Sequence, residues 1–177
     1  MVVVITIMAM IKKNERSKGM ITYHLAKLEE IRTIARLHNE LVYYVQKATK
    51  DIYWDFKEIS EEDTSEYLKT FINHPERRIF VAKEGEQIIA FMVGEIVGCH
   101  LPISSIHRVG YIAAAYVLPT YRGQGIATQL ENRLVGYFKE QNLKYVELHY
   151  IANNRVAEES WKKLGYQTFR KQARKEI

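Results

Sequence analysis

Val117-Leu118-Pro119-Thr120-Tyr121-Arg122-Gly123-Gln124-Gly125-Ile126-Ala127 reads as the end of a strand, a glycine-punctuated turn and the start of an amphipathic helix. Such a turn suits an anion. Gly123 and Gly125 carry no Cβ to keep one from the backbone, and the helix beyond presents unpaired N–H groups and a positive dipole end. Arg122 adds a cation at the mouth. Arg122, Gly123, Gln124, Gly125, Ile126, Ala127 and Thr128 are therefore a candidate phosphate cradle.

Spacing separates the cradles that glycine can build. A P-loop needs Gly-Lys-Ser/Thr at its end, and Ile126 follows Gly125 here. The dinucleotide fingerprint would put its third small residue at position 128, which is Thr128, and leaves no room for Pro119 and Arg122 between strand and glycines. The pattern Gln/Arg-x-x-Gly-x-Gly/Ala is met by Arg122, Gly125 and Ala127. A second element lies downstream, Asn154-Arg155-Val156-Ala157-Glu158-Glu159-Ser160-Trp161-Lys162-Lys163-Leu164-Gly165-Tyr166. Val156, Ala157, Trp161 and Leu164 form a helical stripe, Gly165 fits a left-handed C′ position, and Tyr166 is expected to open a strand. Together the two elements resemble the GNAT superfamily of acyl-CoA-dependent N-acetyltransferases, over residues 20 to 170.

Composition is compatible with one domain. The chain has 177 residues, three prolines and a single cysteine, Cys99, which excludes an internal disulfide and points to a reducing, cytoplasmic setting. Lys162 to Ile177 holds six Lys/Arg against Glu176, which equals the whole net charge of +5. Asp51 to Glu66 is biased the other way, with seven acids against Lys57. A basic end suits a CoA phosphate, an anionic partner or plain solvation, and nucleic-acid binding is not indicated. Residues 1–19 are set apart as an N-terminal arm and 20–177 as the domain. Met1 to Ile11 is apolar but too short to span a bilayer, and it lacks the basic start of a signal peptide. An added edge strand over Val2 to Ile7, a homodimer contact and a translated leader before Met20 stay open as its roles.

Periodicity gives the order β-α-α-β-β-β-α-β-α-β. The elements are a strand at Ile21–Leu25, a helix from Leu28 to Val45, and a second helix capped by Ser60, burying Tyr67, Leu68, Phe71 and Ile72 and ended by Pro75. A hairpin joins Ile79–Lys83 to Gln87–Val97 through Gly85, and strands follow at Arg108–Leu118 and Lys144–Ile151 around the cradle helix. Gly136 weakens the far end of that helix.

The resemblance implies an α/β (α+β) fold: a mostly antiparallel twisted sheet with a splayed strand pair and helices on both faces. It implies acetyl-CoA as cosubstrate, no metal, and direct attack by a primary amine of a small molecule or peptide. It also implies a bulged strand whose open edge, Tyr116, Val117 and Leu118, pairs with pantetheine, the Val117 N–H polarising the acyl oxygen. Asn154 and Trp161 would complete the cofactor site. Two positions depart from the family. Where relatives often place a carboxylate, this chain has Ala113-Ala114-Ala115, leaving Glu95 and His149 as catalytic candidates, with Glu147 and Tyr150 behind them. Trp161 stands where many relatives carry a tyrosine able to protonate the leaving thiolate. The first interhelical segment, Asp51-Ile52-Tyr53-Trp54-Asp55-Phe56, is acidic and aromatic and suits a cationic acceptor, unless its aromatics are only loop anchors and its acids a solvated face. A non-catalytic CoA-binding domain is the rival reading, and a nicotinamide oxidoreductase a distant third.

Overall fold

The structure is a computed structural model and describes residues 19–177. The expectations for Met1 to Ile11 lie outside the described residues. Five strands form one sheet in sequence order: β1 (Ile21–Leu25), β2 (Arg77–Glu84), β3 (Gln87–Gly98), β4 (Arg108–Val117) and β5 (Val146–Leu148). The first four pair antiparallel, and β5 pairs parallel with β4. From Ile88 to Val93, β3 is buried at every residue, as a central strand covered on both faces must be.

Helices α1 (Ile31–Thr49) and α2 (Glu61–Lys69) cover one face. Ile31, Ile34, Leu37, Leu68 and Phe71 pack there on Ile79, Val81, Phe91, Val93 and Tyr116. Helix α3 (Ile126–Glu140) covers the other, where Ile126, Leu130, Leu134 and Phe138 meet Ile89, Met92, Ile96 and Ile112. Its approach is close at two points, Gly94 and Gly110, where the sheet offers no side chain beneath it. A Cβ on Gly94 would come within 2.5 Å of Leu134, and one on Gly110 within 2.4 Å of the Phe138 ring. Helix α4 (Arg155–Lys163) completes this layer through Trp161, and Tyr166 packs beside it.

Several local expectations meet the structure directly. The Ser60 Oγ accepts the Asp63 N–H, capping α2 beside three acids in its first turn. Gly165, at φ +90°, ends α4 in a Schellman motif, with Gly165 N–H on the Lys162 carbonyl and Tyr166 N–H on that of Trp161. The rings of Trp161 and Tyr166 meet edge-on at 5.5 Å as the apolar contact of that motif.

Other expectations are corrected. No strand follows Tyr166; residues 167–177 carry no regular structure and are held by side chains instead. The strand predicted over 144–151 contracts to Val146–Leu148, because β4 pairs with it only there. Helix α2 stops at Lys69 rather than at Pro75, so Phe71 and Ile72 reach the core from the turn that follows. Tyr67 and Val156, expected in the core, are about half exposed at 49% and 57%. Helix α3 runs through Gly136 to Glu140, its flanking Leu134, Tyr137 and Phe138 anchored in the core.

Candidate active site

The cradle follows β4 without a break. Pro119 to Tyr121 make one 3-10 turn, Gly123 and Gly125 take φ of +75° and +78°, and α3 begins at Ile126. Gly125 is the N-cap, with no side-chain cap, so the N–H groups of Ile126, Ala127 and Thr128 have no intrahelical acceptor. A Cβ at either glycine would meet nothing within 4 Å. The left-handed backbone demands glycine here, and the open space is what an anion would use. Buried Ile126 fixes the helix start against the sheet.

Arg122 departs from expectation. Its Nε donates to the Val117 carbonyl at 3.0 Å, and its guanidinium lies 5.4 and 5.7 Å from the rings of Tyr44 and Tyr116. The side chain turns back onto the strand rather than standing alone at the mouth. Gln124 Nε2 donates to the Thr120 carbonyl, closing the turn.

Beside the cradle the sheet opens. β4 pairs with β5 only through Gly110, Tyr111 and Ile112, opposite Val146, Glu147 and Leu148. On the β3 side, Val93 pairs with Ala114 and Gly94 with Ile112, leaving Ala113 as a bulge. Beyond it, Ala114 to Val117 have no β5 partner. Alternation then assigns the free groups. Leu118 N–H bonds the Ile89 carbonyl, so Leu118 and Tyr116 direct their backbone to β3, whereas Val117 and Ala115 face the open edge. Ala115 was not foreseen, because the bulge that sets this parity leaves no mark in an Ala-Ala-Ala run. The Tyr116 side chain is buried and donates its hydroxyl proton to Glu40 on α1 at 3.2 Å, and burial raises its pKa.

Where the strands part, Tyr111 of β4 and His149, just past β5, are linked through the hydroxyl and Nδ1 at 2.9 Å. Arg170 donates to His149 Nε2 at 2.7 Å. A guanidinium has no acceptor, so Nε2 is the unprotonated nitrogen and Nδ1–H donates to the Tyr111 oxygen. His149 has no vacant lone pair in this arrangement. The Tyr111 hydroxyl keeps its own proton for another partner. Its pKa is raised, first by burial and then by the negative charge of Glu95, opposite it on β3. Glu95 is itself paired with Arg77 at 3.4 Å. Glu147 lies opposite Tyr111 on β5, and Tyr150 bonds Thr168 at 3.0 Å. Neither Tyr111 nor Arg170 figured among the sequence candidates, since nothing local ties them to His149.

Asn154 is buried, and its Oδ1 accepts the Ala157 N–H, so it serves as the N-cap of α4. Its neighbour Asn153 donates to the Thr49 carbonyl at 2.7 Å, fastening the end of α1 to the turn after β5. The acidic, aromatic segment therefore borders the splay. Gln46 Nε2 holds its backbone through the carbonyls of Trp54 and Phe56, both at 2.8 Å, and Phe56 packs on Tyr43. Asp51 is not free to meet a cation as expected, because Arg174 grips both its oxygens. Among the described residues no group of three or more His, Cys, Asp or Glu is placed to hold a metal ion.

The chain is similar to known proteins in sequence and in fold. Residues 46–166 match the model of the acetyltransferase (GNAT) family. An uncharacterized N-acetyltransferase of Methanocaldococcus jannaschii is 28% identical over 71% of this chain, which spans 61% of that relative's length. N-alpha-acetyltransferase 30 of Schizosaccharomyces pombe is 27% identical over 71% of the chain and 82% of its own. Among solved structures, a predicted acetyltransferase of Clostridium acetobutylicum crystallised with acetyl-CoA superposes with a TM-score of 0.71, at 23% identity, over 89% of this chain and 96% of its own. The glycine-led turn and the helix it opens lie within the matched residues, and the chain belongs to the acetyltransferase (GNAT) family.

Proposed function

We propose that the chain is an N-acetyltransferase, moving an acetyl group from acetyl-CoA to a primary amine with release of CoA. One observation carries the reading: the edge of β4 at Ala115 and Val117, which has no β5 partner and whose Val117 carbonyl meets only the Arg122 side chain, leads directly into the uncapped N-terminus of α3. The donors of Gly123 to Thr128 suit a pyrophosphate. The open edge suits an amide-bearing arm, and Val117 N–H is the donor proposed for the acyl oxygen. Acetyl-CoA supplies the activated thioester. Trp161 is proposed to pack against the arm, and Asn154 to hold the start of α4 in place.

The ammonium of the acceptor must lose a proton before it attacks, and no carboxylate stands on β4 to take it. Tyr111 and His149 are proposed as the proton relay at the splay, with Glu95 as the nearby negative charge. On this scheme Arg170 leaves Nε2, the imidazole proton moves from Nδ1 to Nε2, and Nδ1 then takes the Tyr111 hydroxyl proton as that oxygen takes one from the ammonium. The occupancy of Nε2 by Arg170 favours a second reading, a domain that binds acetyl-CoA without turning it over. A thiol-release assay over small amines, polyamines and peptide N-termini separates the two. Amine-dependent release supports the transferase, and tight acetyl-CoA binding with no release under any amine supports the other.

A further inference from the structure

Residues 167–177 lie across the end of the sheet where β4 and β5 part. Besides the contacts of Thr168 and Arg170, the Phe169 ring stands 5.8 Å from that of His100. Arg174 then reaches the loop after α1, donating to the two oxygens of Asp51 at 2.9 and 2.7 Å, its guanidinium 4.6 Å from the centre of the Tyr53 ring. A bidentate carboxylate with an aromatic face is how proteins recognise a guanidinium.

The acceptor half of this contact does not depend on Arg174. Asp51 Oδ1 also accepts the Tyr53 N–H at 3.0 Å, which sets the carboxylate at the head of a 3-10 turn, while Gln46 and Asn153 hold the loop from either side. Arg174 is by contrast 45% exposed and lies on a segment without a ladder. The Asp51 side chain is 16% exposed, Arg174 itself being part of what covers it, so a second cation reaches the carboxylate by taking the place of this guanidinium. The acidic lining also repels a polyphosphate, so its guest belongs on the acceptor side.

We propose that Asp51 and Tyr53 form a subsite for a guanidinium or ammonium group of the acceptor, which Arg174 fills in the resting chain as an internal competitor. An acceptor with a cation beside its amine displaces the tail, and a neutral one gains nothing there. The substrate role of the subsite rests on the acetyltransferase reading; its preference for a cation does not.

The test uses the full chain and two probes, arginine amide and citrulline amide, which keeps the α-amine and replaces the guanidinium by an uncharged urea. Arg174→Ala is expected to bind arginine amide roughly threefold to tenfold more tightly than the parent in calorimetry, since the site is no longer partly filled. In thiol release its KM for arginine amide falls by a similar factor, with KM for acetyl-CoA unchanged. Adding Asp51→Asn abolishes the preference over citrulline amide without lowering the melting temperature, because an amide oxygen still accepts the Tyr53 N–H. Equal binding of the two amides by parent and Arg174→Ala would overturn the subsite. Preferential binding with no thiol release would uphold it as a cation site and remove the transferase reading instead.

Discussion

The Tyr111 hydroxyl and His149 Nδ1 meet at 2.9 Å at the place where β4 and β5 separate, one residue from the last paired position on each strand. The contact ties β4 to the residue after β5 at the point where their pairing ends. Tyr111→Phe is expected to lower kcat roughly tenfold to a hundredfold, as loss of a positioned group in a proton relay does, with KM for acetyl-CoA unchanged. Steady-state kinetics checks this. Unchanged kcat would reduce the pair to a structural latch.

Gly125 needs a left-handed backbone and stands in open space, and these two demands can be tested apart. Asn tolerates φ near +78° better than other side chains, so Gly125→Asn should cost under about 1 kcal/mol of stability in denaturant unfolding. Its side chain nevertheless enters the cradle. Acetyl-CoA affinity is expected to fall roughly tenfold or more by calorimetry. Val, being β-branched at positive φ, would confuse strain with obstruction.

Gly110 answers to packing instead. Its Cβ would press on the flat Phe138 ring, whereas at Gly94 the obstacle is the movable end of Leu134. Gly110→Ala should therefore destabilise by about 1–3 kcal/mol, and Gly94→Ala by less. Thermal unfolding of the two variants orders them.

Alkaline stability has a specific origin. Burial, and then the charge and hydrogen bond of Glu131, raise the pKa of Tyr166 well above its usual 10.0. A proton held more tightly in the folded state stabilises fully below the unfolded pKa and stops doing so as pH rises through the folded one. Stability of the parent should decline as pH climbs past about 10. Tyr166→Phe should lose roughly 1–2 kcal/mol at neutral pH, from the bond to Glu131, and decline less steeply above it. Melting temperatures across the range measure both effects.

What the sequence made legible was local. The glycine turn that opens α3, the Ser60 cap and the Gly165 terminus each depend on a few consecutive residues, and all three have the backbone that the sequence implies. Pairing over long distances was not legible. Tyr111 and His149 lie 38 residues apart and Asp51 and Arg174 123 apart, and no periodicity encodes such contacts. The strand expected after Tyr166 failed for a related reason: β propensity proposes a strand, but a ladder needs a neighbour. Gly94 and Gly110 are small because α3 lies over them, a constraint visible only once the helix is placed.

On the proposed function, the open edge of β4 and the first turn of α3 receive acetyl-CoA. Residue-resolved amide hydrogen exchange with and without acetyl-CoA tests it most directly. Slowed exchange is expected at Ala115, Val117 and the N–H groups of Gly123 to Thr128, with β1 and β2 unchanged. Measurable affinity with no protection at Val117 and the α3 first turn, or protection confined to another face, would contradict it.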